Sequence, residues 1–174
     1  SAVWTATIAR VSALFSCSAF YTFVQGPAQY FALNTNIAFG PRSEQYKWFE
    51  KELQKSTSRW KIAIFHHPPF SCAVARKPGY EKAQKYLVPL MEKYEVDLVL
   101  LGHDHLYGRT VPINGVTYVT SGGGGSPLYT AETDAISPVC IQTFHYVRFS
   151  IDDKTISWQA IDAQDNIIDE HSLH

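Results

Sequence analysis

Histidine is missing from the first 65 residues of this 174-residue chain, and all seven histidines lie from His66 onward. Any chemistry that needs imidazole must be built from the later residues. Excess charge is missing too: Lys and Arg number 15 against 16 Asp and Glu, and no basic block stands out, so nucleic acid has no electrostatic footprint here. An anionic ligand would have to be held by metals and local groups. Apolar runs long enough to span a membrane are absent, and no membrane association is expected. The start, Ser1 to Arg10, lacks the charged and unbroken apolar regions of a signal peptide. Met91 is the single methionine, so residue 1 need not be the true start. Cysteine is scarce. Cys17, Cys72 and Cys140 form no C-x-x-C pair and leave one thiol over under any pairing. A Cys72–Cys140 bridge is open to the chain, but buried free thiols are the expectation. The redox compartment is left open. What remains is a chain long enough for one domain and, at 45% hydrophobic residues, able to bury a core.

The stretch that organises the rest is Val96-Asp97-Leu98-Val99-Leu100-Leu101-Gly102-His103-Asp104-His105. A short apolar run closed by glycine reads as a strand buried on both faces. If the chain stays extended, His103 and His105 at i and i+2 point the same way and can aim at one metal. An isolated H-x-H is a weak signal. A second stretch of the same design strengthens it: Lys61-Ile62-Ala63-Ile64-Phe65 ends in His66-His67, and Pro68-Pro69 then stop both strand and helix. In open α/β sheets, ligands collect beyond the carboxyl ends of the strands, where both histidine sets lie.

The remaining pattern is consistent with a layered α/β fold. Phe20–Gln25 and Gln29–Asn34 flank Gly26-Pro27 and predict a hairpin. Ser43 is placed to cap a helix to about Lys55 with Tyr46, Phe49 and Leu53 inward. Tyr80 to Tyr94 reads as one helix kinked at Pro89, and the strand bearing His103 follows, giving two βαβ crossovers. Asn114-Gly115 signals a type I′ hairpin between Thr110–Ile113 and Val116–Val119. Gly122–Gly125 lacks the ending of a phosphate-binding P-loop, so small residues there are expected to let the backbone pass close to the site. Residues 126–140 read as a long loop of the kind that forms rims. From Thr143 the chain predicts three antiparallel strands packed as a second sheet. His145, His171 and His174 are read as structural or solvated.

At Phe65-His66-His67-Pro68 and Leu101-Gly102-His103-Asp104-His105 the chain resembles the calcineurin-like metallophosphoesterases, in particular the purple acid phosphatase branch. The resemblance runs through Tyr107-Gly108-Arg109-Thr110 and Gly115 to Gly125 and covers roughly residues 20 to 173; residues 1–19 stand apart as an atypical or disordered segment. It implies a layered α/β sandwich, incomplete here, with a mixed sheet and C-terminal antiparallel strands. It implies metal ligands at His66, His103 and His105. His67 falls on a variable position and receives no ligand role; it joins Asp104 and Tyr107 as residues of the site's surroundings or substrate rim. The family's Asp-x-His, Gly-Asp-x-x-Asp and Gly-Asn-His motifs are absent before His66, so no catalytic acid or base is assigned. The expectation is therefore the C-terminal portion of a longer phosphoric-ester hydrolase. A complete site would hold two ions of Fe, Zn or Mn and this chain at most one, with a phosphate ester as substrate. The alternative is a non-catalytic metal-binding or interaction remnant. Either way, the missing half of the fold or a second copy of the chain is expected as a partner. The resemblance allows an extracytoplasmic location, which the residues themselves leave open.

Overall fold

The computed structural model describes residues 19–174. Two strands, β1 (Tyr21–Gln25) and β2 (Ala28–Ala32), form the expected hairpin, with Gly26 at a φ of 57° in its turn. Helix α1 (Glu44–Lys55) follows; the Ser43 side chain accepts from the Tyr46 N–H, and Phe49 and Leu53 are buried beneath it. Strand β3 (Trp60–Phe65) then pairs parallel with β2. The Tyr80–Tyr94 segment departs from the single kinked helix. It is two short helices, α2 (Glu81–Tyr86) and α3 (Val88–Lys93), because Pro89 has no N–H to donate and its ring crowds the preceding turn. Strand β4 (Leu98–Leu101) comes next, parallel to β3.

Beyond β4, strand β5 (Tyr107–Arg109) pairs antiparallel with β6 (Thr117–Ser121). Between them Asn114 and Gly115 both take positive φ, as a type I′ turn requires. The first arm is irregular after Arg109, where Pro112 removes a ladder donor. Strand β7 (Val139–Ile141) adds to the far side of β5, and the sheet order is β1-β2-β3-β4-β6-β5-β7. The chain ends in the antiparallel meander β8 (His145–Ile151), β9 (Ile156–Asp162) and β10 (Ile167–Leu173), as the alternation predicts. Among the described residues, no helix is long and apolar enough to cross a membrane.

Side-chain alternation along the central strands feeds two cores. Phe31, Ala63, Phe65, Val99, Leu101 and Tyr118 face the helices. Ile62, Leu98 and Val119 face the opposite way, onto Ile156, Trp158 and Ala160 of the meander. Polar ties fix that second interface. The Trp60 indole donates to the Asp152 carbonyl at 2.6 Å, and Asp169 takes a forked pair of hydrogen bonds from Arg109 at 2.7 and 3.0 Å. Tyr107, fully buried, donates to the same carboxylate at 2.7 Å and accepts from the Trp158 indole at 3.1 Å. Tyr107 therefore belongs to the interlayer core and not to a substrate rim.

The expectation of buried free thiols fails for two cysteines. Cys72 and Cys140 form a disulfide, their Cα atoms 6.1 Å apart. Cys140 lies opposite Gly108 in the β5–β7 ladder, and a Cβ on Gly108 would stand 3.0 Å from the Cys72 sulfur, so that glycine makes room for the bridge. Closing a loop of 68 residues stabilises the fold by about 4 kcal/mol through the unfolded state. Cys17 and the segment 1–18, most of the stretch set apart above, lie outside the described residues.

Burial raises the Asp169 carboxyl, but the Arg109 and Tyr107 hydrogen bonds and the Arg109 charge outweigh it and hold the group below its usual value. A depressed carboxyl contributes stability that is present above its unfolded pKa, about 4, and is lost as pH falls through the folded value. Asp169→Asn should cost about 3 kcal/mol at neutral pH by denaturant unfolding, with the gap from wild type closing below about pH 4. A pH-independent gap would show that the charge plays no part.

Candidate metal centre

Strands β3 and β4 lie side by side with Phe65 opposite Leu101, so both end at one level and His66 and Gly102 leave the sheet together. The ladder extends one step, the Gly102 N–H donating to the His66 carbonyl at 3.2 Å. A side chain at Gly102 would press on the His66 ring, its Cβ 3.3 Å from Nδ1. His103 then takes a φ of 65°, and the backbone tightens through Asp104 N–H to Gly102 carbonyl and Leu106 N–H to Asp104 carbonyl, both 2.8 Å.

That turn decides which imidazoles meet. Convergence of His103 and His105 by i, i+2 alternation needs extended backbone, and the chain is no longer extended there. His103 turns back over the sheet end, its Nδ1 3.2 Å from His66 Nε2. His67 completes the group: its ring centroid lies 4.5 Å from that of His103 and 4.9 Å from that of His66. One ring nitrogen from each of His66, His67 and His103 falls within 4.8 Å of the others. His105 stands apart from this trio. It stacks on Tyr129 with centroids 4.5 Å apart and 28° between planes, and its Nδ1–H donates to the Pro127 carbonyl at 2.8 Å, leaving Nε2 with its lone pair.

His67 is held by a neighbour that the sequence pattern does not single out. Thr35, buried just past β2, accepts the His67 backbone N–H at 3.3 Å and lies 2.7 Å from its Nδ1. When Nδ1–H donates to Thr35, Nε2 is free for a ligand. Asp104, only 1% exposed, belongs to the site's surroundings and not to a substrate rim; its Oδ2 accepts from Ser71 Oγ at 2.5 Å, tying the two histidine-bearing loops together. Among the described residues its Oδ1 has no partner. Two of the four glycines after β6 behave as expected: a Cβ on Gly122 would collide with the Asp104 carbonyl and one on Gly123 with His145 and the Thr143 carbonyl, whereas Gly124 and Gly125 have open space beside them. His145 itself is a structural pin, 3.0 Å from Ser121 Oγ and from the Thr143 carbonyl. His171 packs on Trp158 and His174 bonds Ser172.

The trio suits a borderline metal. Burial, then the neighbouring His103 and His66 and the Arg76 charge, lower the pKa of His67; burial and Arg76 lower that of His103, against the pull of Asp104. Both rings are neutral near pH 7, the form that ligates. Two imidazole nitrogens on one tetrahedral zinc, at about 2.0–2.1 Å each, sit about 3.3 Å apart, close to the 3.2 Å between His66 and His103. Among the described residues, no carboxylate joins the three imidazoles.

The calcineurin-like phosphoesterase family matches residues 12–107, taking in both histidine-bearing strand ends and starting inside the segment 1–19 that stands apart by pattern. Purple acid phosphatase 15 of Arabidopsis thaliana is 30% identical over 121 residues, 64% of this chain and 23% of its own length. Fe(3+)-Zn(2+) purple acid phosphatase 12 of the same plant is 28% identical over 124 residues, 70% of this chain and 26% of its own. The chain thus spans about a quarter of these curated relatives. A purple acid phosphatase from yellow lupin (Lupinus luteus) seeds shares the fold at a TM-score of 0.78 and 24% identity, covering 88% of this chain and 32% of that one.

Calorimetric titration of the isolated chain with zinc should give one ion per chain. His66→Ala, His67→Ala and His103→Ala should each weaken uptake by about 100-fold or more, since even the outer partners of ligands are worth about 10–100-fold. His105→Ala should leave it within about threefold. Loss of uptake in His105→Ala with retention in His67→Ala would reverse this grouping.

Proposed function

The chain belongs to the calcineurin-like phosphoesterase family, and from that premise we propose that it is the histidine-bearing C-terminal portion of a metal-dependent phosphoric-ester hydrolase of the purple acid phosphatase type. The observation that carries the reading is the meeting of His66 and His103 across the β3–β4 pair, 3.2 Å apart. When bound, metal ions at such a site supply Lewis acidity toward a phosphoryl oxygen and lower the pKa of a coordinated water. The chain's own part is to hold and orient. His66 and His103, with His67 beside them, present the lone pairs; Thr35 holds the His67 ring; Ser71 and Asp104 tie the two loops together. His105, with Nε2 free, stands ready as a ligand to a second ion whose carboxylate ligands another part of the protein would bring. Two dications about 3.5–4 Å apart repel strongly unless carboxylates lie between them, so the isolated chain holds one. The disulfide suits an oxidising, extracytoplasmic compartment.

A second reading, a non-catalytic metal-binding or interaction remnant, is favoured by one observation: no carboxylate joins the trio among the described residues. The two readings separate upstream. A parent reading frame that encodes Asp-x-His, Gly-Asp-x-x-Asp and Gly-Asn-His supports the hydrolase, and a frame without them supports the remnant.

In steady-state assays of p-nitrophenyl phosphate with added Zn, Mn or Fe, the isolated chain should fall at least about 10³-fold below a parent carrying those motifs, the scale of losing charge stabilisation from a reaction centre. Robust turnover with two metals per isolated chain would overturn the assignment and direct attention to Asp97, Asp104, Glu132 and Asp134.

A further inference from the structure

One imidazole outside the trio closes a junction of three segments. His145 opens β8, is 9% exposed, and packs its ring edge-on against Tyr107 of β5 with centroids 5.4 Å apart. Its main-chain N–H donates to the Gly123 carbonyl at 3.0 Å, and a side chain on Gly123 would run into the ring. A carbonyl only accepts, so Nδ1 carries the proton donated to Thr143 at 3.0 Å, and Nε2 accepts from the Ser121 hydroxyl at 3.0 Å. Both ring nitrogens are used in the neutral form. The chain held there runs on through Gly124 and Gly125, which have open space beside them, to the residues that grip His105. The Pro127 carbonyl accepts from His105 Nδ1, the Tyr129 ring stacks on the imidazole, and the Tyr129 N–H donates to the His105 carbonyl at 3.0 Å.

We propose that His145 is a proton-operated latch: neutral, it holds the segment 121–129 against the start of β8, and protonated, it releases that segment and with it the grip on His105. A second proton on the ring goes to Nε2, turns the acceptor facing Ser121 into a donor, and leaves a buried positive charge to be met. No counter-charge stands ready among the groups that face the ring. Tyr107 donates its hydroxyl proton to Asp169, a carboxylate already shared with Arg109. Asp162 lies opposite His145 in the β8–β9 ladder, but its carboxylate is taken by Gln164 and Asn166 in the turn that follows. Ser121, Gly123 and Thr143 bring no charge. Burial holds the imidazole below its ordinary value, against the pull of the Thr143 carbonyl. A depressed imidazole contributes stability that is present above its unfolded value, about 6.5, and is lost as pH falls through the folded one. Acidification therefore opens the latch. The proposal stands apart from the phosphoesterase reading, since neither the junction nor its test requires a metal ion.

The test is amide hydrogen exchange by NMR on the 174-residue chain between about pH 7.5 and about pH 5, read as protection factors so that the chemical pH dependence of exchange cancels. The His145 ring titration is followed alongside. The amides of Gly122, Tyr129 and His145 should lose about tenfold or more in protection as His145 takes its proton, while those of β3 and β4 keep theirs within about threefold. His145→Gln, uncharged throughout, should show one level of protection at every pH. Ser121→Asp, which sets a carboxylate beside Nε2, should move the ring titration upward and keep the segment closed at about pH 5. Flat protection of the three amides in the wild type, or a loss shared equally with β3 and β4, overturns the latch. The wild-type loss repeated in His145→Gln overturns it too, because the proton would then act elsewhere. Should His145→Gln lack protection at every pH, Ser121→Asp decides: a pH dependence unchanged from wild type overturns the proposal.

Discussion

The parallel pairing of β3 with β4 is the constraint on which the rest depends. With Phe65 opposite Leu101, two strands that are 36 residues apart in sequence end at one height, and the residues that leave them are histidines. Slipping one strand by a residue would turn either Ala63 and Phe65 or Val99 and Leu101 away from the helix-side core, so burial sets the register and the register sets the site. The imidazoles are placed by hydrophobic packing several residues away. Gly102 adds the last condition, since any side chain there would push the His66 ring aside.

Around that pair, polar ties brace the carboxyl ends of two interior strands. Thr35 reaches His67 from the end of β2, and Ser71 reaches Asp104 between the two histidine loops. The disulfide fastens the loop after His66 to β7. On the opposite face, the buried Arg109–Asp169 pair, with Tyr107 and Trp158, joins the C-terminal meander to the central sheet. Orientation of the ligands therefore draws on the whole described fold.

Much of this was legible in the residues. Apolar runs ending in His66 and His103, the Ser43 cap, the Asn114-Gly115 turn and the alternation after Thr143 led to the right elements in the right order, because each is governed by local periodicity or turn chemistry. The site was legible only in part. Alternation predicts that His103 and His105 point together, but the left-handed His103 cancels that rule, and a histidine with positive φ is not announced by its sequence. His67, set aside for falling on a variable position, is drawn in by Thr35, a contact 32 residues away that no spacing reveals. The resemblance places Tyr107 in the site's surroundings or substrate rim, but its hydroxyl is claimed by Asp169, 62 residues on. Asp104 and the disulfide fail to show for the same reason: their partners are chosen by tertiary packing.

If the β3–β4 register builds the site, a metal binds where His66 and His103 meet. Anomalous diffraction from zinc-loaded crystals of the chain decides this without recourse to activity. One anomalous peak is expected within about 2.0–2.1 Å of His66 Nε2 and His103 Nδ1. A peak bound elsewhere, with these two nitrogens bonded to each other and to no ion, would show that the register places the imidazoles for some purpose other than holding a metal.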